Sequence, residues 1–135
     1  MNKIELVLIR GIPGSGKSTH AAKLGYHNFE ADQYFMRDNV YVFDATKLHQ
    51  AHLWCQNHTR SILEQGFSVA VSNTFTTLKE MKPYFAMAEE LKIPVRVIKV
   101  IGNFQNVHNV PEEALQRMRD RWQDFEGEEI VDNTK

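Results

Sequence analysis

The feature that most constrains the fold is a glycine-rich octapeptide, Gly11 to Ser18, between an apolar run and a helix-forming stretch. Residues 4–9 (IELVLI) are short and rich in β-branched side chains, which is typical of a strand buried on both faces. Residues 17–24 are mostly helix formers, and Gly25 is expected to end that helix. This order predicts a parallel sheet whose first strand leads into a loop at its carboxyl edge.

The rest of the chain alternates between strand and helix patterns. Further strands are predicted to begin near residues 29, 67 and 94, and helices over about 44–64, 76–91 and 111–122. We therefore predict a three-layer α/β fold, with about four parallel strands and helices on both faces. The length of residues 1–135 fits one domain. The segment from about residue 123 is acidic and weakly patterned, and we expect it to fray.

Composition excludes several classes of protein. The chain is 42% apolar and 24% charged, with 16 basic and 17 acidic residues, so it carries no overall positive field for long nucleic acid. The single cysteine, Cys55, excludes a disulfide framework and a cysteine-rich metal site. No apolar run is long enough to span a membrane, and Glu5 lies where a signal peptide needs its apolar core. We expect a cytoplasmic protein with no membrane partner.

The octapeptide fits the P-loop pattern G-x-x-x-x-G-K-[ST]. Its glycines allow backbone N–H groups to turn inward around a phosphate, and the helix that follows directs its free amides at the same anion. Lys17 is expected to contact the β- and γ-phosphates of ATP, and the Ser18 hydroxyl is expected to be a ligand for Mg²⁺. The residues expected to bind the nucleotide are Gly11, Ile12, Pro13, Gly14, Ser15, Gly16, Lys17, Ser18 and Thr19. The alternative is a glycine turn with an incidental lysine.

Two polar residues follow the second and third predicted strands. Asp32 is a candidate general base for an attacking hydroxyl, or a group that orients Mg²⁺ through water; its alternative role is a helix N-cap. The third strand leads into Asn73 where many P-loop proteins carry a Walker-B aspartate, which argues against a motor-type ATPase. Asn73 is a candidate outer ligand of Mg²⁺ or an ordinary turn residue.

An ordered series of segments resembles the polynucleotide 5′-kinase-like P-loop proteins, which include small phage ATP-binding proteins and the kinase half of phage polynucleotide kinase. The segments are RGIPGSGKST, ADQYF, AHLWCQ, SNTFTTLKEMKPY and NVHNVPEEALQRM. The resemblance covers residues 4–122 and implies a four-stranded parallel sheet and Mg-dependent transfer of the ATP γ-phosphate to a hydroxyl. It implies that Lys17 and Ser18 bind phosphate and metal and that Asp32 is the general base. The acceptor expected is a nucleoside, a nucleotide or a nucleic acid 5′-OH.

The chain departs from that family at two places. Phe35 replaces an arginine that helps the phage polynucleotide kinases to hold nucleic acid. The lid, residues 102–110, is short and contains neither arginine nor lysine, whereas the family's lid supplies an arginine to the transferring phosphate. The candidates for that catalytic charge are Arg117, Arg119 and Arg121 on the final helix, of which Arg117 and Arg121 share a helix face. Their alternative role is a solvated basic face paired with acidic neighbours.

Other candidate groups carry weaker signals. His49, His52, Cys55 and His58 recur every three residues, but helical steps of three drift around the axis, so four ligands cannot converge on one metal ion. His52 and the lid residue His108 are candidates for contact with the site, or are a half-buried histidine and a loop residue respectively. Trp122 and Phe125 are candidates for base stacking, while Trp54 and Cys55 are expected in the core.

Two classes of function are compatible with these residues, and a kinase of a small metabolite would share the machinery of the first and differ only in the acceptor. The first is a Mg-ATP-dependent kinase that acts on a hydroxyl, with Lys17, Asp32, Arg117 and Arg121 as the catalytic residues. The second is an ATP-binding regulatory module with weak or no transfer activity, whose nucleotide state controls a protein partner. Retention of Asp32 favours the kinase, while Phe35 and the short lid favour the module.

Overall fold

The computed structural model describes residues 3–104 and 110–134. Its strands are β1 (Leu6–Arg10), β2 (His27–Phe29), β3 (Met36–Arg37), β4 (Val40–Tyr41), β5 (Val69–Asn73), β6 (Val95–Ile101) and β7 (Glu129–Asp132). Its α-helices are α1 (Lys17–Lys23), α2 (Leu48–Glu64), α3 (Leu78–Leu91) and α4 (Glu112–Asp120). Short 3₁₀ turns span Ala31–Phe35 and Ala45–Lys47.

The main sheet is parallel throughout and has the strand order β2-β5-β1-β6-β7. Strand β1 lies at its centre between β5 and β6, and all of its residues are buried. Strands β3 and β4 form a separate antiparallel hairpin. The predicted α/β fold is confirmed, although the sheet in the described residues has five strands where the sequence predicted about four.

The additional strand comes from the segment after residue 123, and the expectation that this segment frays was wrong. Strand β7 pairs with β6 from Ile98–Glu129 to Ile101–Asp132. It is a short edge strand, and its Ile130 side chain is 62% exposed. Because an edge strand buries few side chains, its sequence lacks the apolar pattern by which the central strands are identified.

Three strands begin two residues away from their predicted starts, and β1 begins at Leu6 rather than at residue 4. Strand β2 occupies residues 27–29 because Glu30 already caps the following 3₁₀ turn through reciprocal hydrogen bonds with Gln33. Strand β5 begins at Val69 because Gly66 turns the chain with a φ of 91° and Phe67 remains 52% exposed. The shift brings Ser72 and Asn73 into the end of β5 itself.

Capping residues lie at or next to the predicted helix starts at residues 44 and 76. The Asp44 side chain accepts a hydrogen bond from the Thr46 N–H at 3.0 Å, although the chain first forms a 3₁₀ turn before α2. Thr77 and Glu80 form a capping box at the start of α3, which continues through Pro83. In the ranges 3–104 and 110–134, none of the helices is both long and apolar enough to cross a bilayer.

Helices cover both faces of the sheet. Successive side chains of β1 point to opposite faces, so each face carries apolar side chains that a helix layer buries. Leu6 and Leu8 pack in a cluster with apolar side chains of α2 and α3. Val7 and Ile9 pack on the other face with Ala21 of α1. The predicted three layers are therefore present, and the carboxyl end of β1 is held rigidly between them.

Arg10, the last residue of β1, is fully buried and connects three distant segments. Its Nε and Nη2 donate to the Phe75 carbonyl at 3.0 and 2.6 Å, and Nη2 also donates to the Gln123 carbonyl at 2.6 Å. Its Nη1 forms an ion pair with Glu128 at 3.0 Å, and the guanidinium carbon lies 4.2 Å from the centre of the Trp122 ring. We call these five residues the Arg10 cluster; it fastens the terminal segment to the sheet.

The Arg10 cluster predicts an unusually large effect of one substitution. Arg10→Met removes the partner of a buried carboxylate and is expected to lower the free energy of unfolding by about 3–5 kcal/mol. Arg60→Met is the matched control, because Arg60 is 40% exposed in its surface ion pairs, which are worth about 0–1 kcal/mol. Urea denaturation measures both; similar losses in the two variants would contradict the structural role of Arg10.

Candidate functional site

Residues 11–18, which we call the P-loop, connect β1 to α1 at the carboxyl edge of the sheet. The loop contains a tight turn in which the Ser15 N–H donates to the Ile12 carbonyl at 3.1 Å. Gly14 and Gly16 have φ values of 88° and 96°, a conformation that favours glycine. The loop therefore leads directly into the first turn of α1, where unpaired N–H groups are available for an anion.

Gly11 is required by close packing rather than by its φ angle. A Cβ atom at this position would lie 2.4 Å from the Ser15 Oγ and 2.8 Å from the Val100 carbonyl oxygen. Ser15 is itself 1% exposed, so its side chain lies beneath the loop. Any side chain at position 11 would collide with Ser15 or with the β6 backbone, so this position requires glycine.

Lys17 and Ser18 lie beside two carboxylates. Burial lowers the pKa of the Lys17 ammonium, while the nearby negative charges of Glu30 and Asp32 act in the opposite direction. The Ser18 hydroxyl donates to the Glu30 Oε2 at 3.0 Å. The hydroxyl and carboxylate oxygens of Ser18 and Glu30 are hard donors of the kind that Mg²⁺ prefers, so the residues present fit this ion.

Asp32 lies in the 3₁₀ turn that follows β2, on the same side of the sheet as the P-loop. Its alternative role as the N-cap of this turn was wrong, because the N-cap is Glu30. The Tyr41 hydroxyl donates to the Asp32 Oδ1 at 3.1 Å, and burial together with this carboxylate raises the pKa of Tyr41. Asp32 is thus held from the β3–β4 hairpin.

A cavity of about 220 Å³ opens between these groups. Its lining residues are Ser18, Glu30, Asp32, Gln33, Met36 and Tyr41. The cavity joins the start of α1, the turn after β2 and the hairpin, so a molecule in it lies against both the P-loop and Asp32.

Asn73, at the end of β5, holds the backbone near Asp32. Its Oδ1 accepts a hydrogen bond from the Ala31 N–H at 2.9 Å, and its Nδ2 lies 3.9 Å from the Cys55 sulfur. The side chain is 8% exposed. Its amide oxygen is therefore engaged by the turn that carries Asp32, and because Asn73 lies within β5 it is not the ordinary turn residue of the alternative prediction.

The histidine and cysteine string of α2 forms no metal site. No group of three or more histidine, cysteine or acidic side chains suited to a metal ion occurs among the residues that the structure describes. Burial lowers the pKa of the half-buried His52, opposed by the charges of Glu80 and Asp32. Cys55 is buried in the core, and burial raises the pKa of its thiol.

The arginine candidates differ in their surroundings. Arg121, just after α4, donates through Nε to the Thr76 Oγ1 at 3.0 Å, and Thr76 lies beyond the end of β5. Arg117 is exposed on α4. Arg119 on the same helix forms an ion pair with Glu112 at 2.7 Å. Arg121 is thus near the functional edge of the sheet.

The remaining expectations concern aromatic residues and the lid. Phe35 is 3% exposed, so its ring is a core group that packs against Phe43 and Tyr41. Trp122 belongs to the Arg10 cluster, and Phe125 stacks on Phe85 at 5.4 Å. Trp122 and Phe125 therefore each pack against other side chains of the chain. His108 and most of the predicted lid lie outside the described residues.

Sequence reasoning missed two side chains at this site. Glu30 was not singled out, although it precedes Asp32 by two residues and could have been identified by its capping pattern with Gln33. Tyr41 gave no signal, because its approach to Asp32 depends on the hairpin turn at Asp38 and Asn39, both with positive φ.

Comparison with known proteins places the described geometry in a family. Residues 6–101 match the AAA domain family. The human NEDD4-binding protein 2 is 35% identical over 141 aligned residues, which include 93% of this chain. The chain spans only 8% of the length of that relative.

Solved structures share the fold at low sequence identity. A sugar kinase from Janibacter sp. HTCC2649 superposes with a TM-score of 0.69 at 17% identity, over 98% of this chain and 87% of that one. A chain of the Pnkp1/Rnl/Hen1 RNA repair complex superposes with a TM-score of 0.60 at 16% identity, over 90% and 38% of the two chains. The fold is therefore one shared with P-loop kinases.

The position of Asn73 yields a stability prediction. Asn73→Ala leaves the buried Ala31 N–H without its acceptor and is expected to lower the free energy of unfolding by about 1–3 kcal/mol. The control is Asn57→Ala, since Asn57 is exposed on α2. Thermal and urea unfolding measure the difference. An Asn73→Ala protein as stable as the control would refute the assigned hydrogen bond.

Proposed function

The chain belongs to the AAA domain family, and we propose that it binds Mg-ATP and transfers the γ-phosphate to a hydroxyl acceptor. The observation that carries the proposal is a cavity at the carboxyl edge of a parallel sheet that Ser18 and Asp32 line, with Lys17 next to Ser18 and near the charge of Asp32. In open α/β sheets this edge is where ligands bind. A glycine turn with an incidental lysine would not require Ser18 and Asp32 to line a common cavity.

The P-loop amides and Lys17 would bind the phosphates. Backbone N–H groups from Gly14 to Thr19 and the start of α1 supply fixed positive dipoles, and Lys17 supplies a mobile charge. Lys17 lies near Glu30 and Asp32, whose negative charges oppose the lowering of its pKa by burial. This arrangement favours a polyanion over a neutral ligand.

Ser18 and Glu30 would hold Mg²⁺ on the phosphate side of the cavity. When bound, this ion neutralises charge on the phosphate oxygens and aligns them for transfer. The Ser18 hydroxyl now donates to Glu30 at 3.0 Å, so both oxygens already lie together at the start of α1. The remaining work of positioning falls on the P-loop and Lys17.

Asp32 would accept the proton of the attacking hydroxyl. The acceptor oxygen forms a bond to the γ-phosphorus, the bond from that phosphorus to the β,γ-bridging oxygen breaks, and ADP leaves with the electron pair. The proton moves from the acceptor hydroxyl to the Asp32 carboxylate, for which Tyr41 fixes the orientation at 3.1 Å.

The acceptor proposed is a nucleoside, a nucleotide or a nucleic acid 5′-OH. The resemblance of several ordered segments to polynucleotide 5′-kinase-like proteins supports this class. The fold is also shared with a chain from an RNA repair complex and with a sugar kinase, so the fold itself does not select the acceptor. The formal charge of −1 favours a small acceptor or a strand end over long duplex.

A second candidate is an ATP-binding module that controls a protein partner with little or no transfer. The observation that favours it is the burial of Phe35, which places a core ring where the resembling kinases use an arginine. In this case nucleotide binding would persist and transfer would be absent.

The base assignment predicts a separation of binding from transfer. Asp32→Asn keeps the shape of the side chain but cannot take the proton, so kcat is expected to fall by about 10²–10⁴ with the Kd for Mg-ATP nearly unchanged. Asp120→Asn on α4, whose carboxylate accepts from Gln116, is the control. Transfer of radiolabelled γ-phosphate to nucleosides and 5′-OH oligonucleotides, together with calorimetry, measures both quantities.

The outcomes of that experiment distinguish the two functions. Transfer that Asp32→Asn retains would remove Asp32 from the chemistry. Saturable Mg-ATP binding by the wild-type protein, with no transfer to any acceptor in the panel, would favour the regulatory module. Absence of Mg-ATP binding would exclude both.

The arginine assignment is tested on one short segment. We propose that Arg117 or Arg121 neutralises charge on the transferring phosphate, so Arg117→Ala or Arg121→Ala is expected to lower kcat by about 10³ or more. Arg119→Ala is the matched control, because its guanidinium is held by Glu112. Equal rates in all three variants would show that neither arginine acts on the phosphate.

A further inference from the structure

The carbonyl groups of the P-loop are held from outside the loop by residues far away in the chain. The Phe104 N–H donates to the Gly14 carbonyl at 2.8 Å, and the Asn133 Nδ2 donates to the Ser15 carbonyl at 3.1 Å. Asn133 follows β7, and its own N–H donates to the Ile101 carbonyl at 2.7 Å. The donor to Ser15 is thus fixed to the end of the sheet.

These bonds determine the direction of the amides that follow. A trans peptide is planar, and its C=O and N–H point in opposite directions. Because the Ser15 carbonyl is directed at Asn133, the Gly16 N–H points away from Asn133, toward the phosphate-binding side of the loop. The orientation of one carbonyl therefore decides where an anion-binding N–H points.

The packing around Gly16 leaves this peptide no room on the Asn133 side. A Cβ atom on Gly16 would lie 2.9 Å from the Asn133 Nδ2 and 3.0 Å from the Phe104 ring. A Cβ atom on Gly102 would lie 2.2 Å from the Ser15 carbonyl oxygen. The Ser15–Gly16 peptide is thus enclosed by groups from the ends of β6 and β7.

We propose that Asn133 is a positioning residue for nucleotide binding, which holds the Ser15–Gly16 peptide so that the Gly16 N–H is directed at the phosphates. The proposal rests on the proposed function. A glycine at position 16 allows several orientations of the Ser15–Gly16 peptide. Binding an anion selects one of them and costs conformational entropy, unless the peptide already has that orientation in the free protein. The Asn133 amide supplies that orientation through a hydrogen bond that touches no ligand.

The fold does not depend on this side chain. Strand β7 is held by its backbone pairing with β6 and, through Glu128, by the Arg10 cluster. Asn133→Ala removes only the hydrogen bond to the Ser15 carbonyl and retains the backbone bond to Ile101. Thr134→Ala is the matched control, because Thr134 bonds to Asp132 within the same segment.

The test uses two probes, Mg-ATP and magnesium tripolyphosphate, titrated calorimetrically into the wild-type protein and both variants. Asn133→Ala is expected to weaken both by the same factor, about five- to tenfold for one hydrogen bond. Thr134→Ala is expected to bind as the wild type. Loss for Mg-ATP alone would overturn the proposal, because Asn133 would then act on the base or ribose. Unchanged affinities would also overturn it.

A second measurement needs no ligand and separates this inference from the proposed function. Backbone ¹⁵N relaxation of the free protein is expected to show greater nanosecond motion of the Gly16 N–H in Asn133→Ala than in the wild type or Thr134→Ala. If the wild-type protein binds neither probe, the proposed function fails. The role of Asn133 in nucleotide binding then fails with it. Where the wild-type protein binds both probes, greater motion of the Gly16 N–H in Asn133→Ala supports the inference, and identical order parameters overturn the inference alone.

Discussion

The buried guanidinium of Arg10 is the interaction on which the rest of the functional edge depends. Arg10 ends the central strand, immediately precedes the P-loop, and binds the carbonyls of Phe75 and Gln123, which lie 65 and 113 residues further along the chain. One of those carbonyls belongs to Phe75, which has a φ of 46° and is buried. Arginine suits such a junction because its five N–H donors are fixed in a planar fork that can reach acceptors from several segments, whereas a lysine presents its three donors at a single point.

The P-loop is therefore fixed by packing on its outer side and lies near charged side chains on its inner side. The Arg10 cluster anchors β7, and β7 delivers Asn133 to the outer side of the P-loop. On the inner side, Glu30 and Asp32 line the cavity and lie near enough to Lys17 for their charges to act on its ammonium group. A loop fixed in this way presents its amides before the ligand arrives, which is the condition under which electrostatic stabilisation is most effective.

The parts of this structure that the sequence predicts are those governed by local physics. The apolar run before Gly11, the cap at Asp44 and the capping box at Thr77 each determine structure within a few residues. The P-loop is identifiable because its glycines and Lys17 occur at fixed spacing. The fold class was predictable for the same reason, because it follows from the local alternation of strand and helix patterns.

The parts that the sequence did not predict depend on long-range contacts. The short edge strand β7 is stabilised by pairing with β6 and by Arg10, neither of which leaves a pattern in the residues after 123. The sequence did not predict that Asn73 holds the turn after β2, because its hydrogen-bond partner, the Ala31 N–H, is a backbone group that leaves no side-chain pattern. Tyr41 reaches Asp32 only through the geometry of the β3–β4 hairpin.

The proposed function requires that the P-loop binds a triphosphate and that the terminal phosphate faces Asp32. A crystal structure of the protein with Mg²⁺ and a non-hydrolysable ATP analogue tests this requirement most directly. We expect phosphates enclosed by the amides of residues 11–18, with the Lys17 Nζ on the terminal phosphate and the Asp32 carboxylate on the side opposite the leaving group. An analogue bound elsewhere, or a terminal phosphate turned away from Asp32, would contradict it.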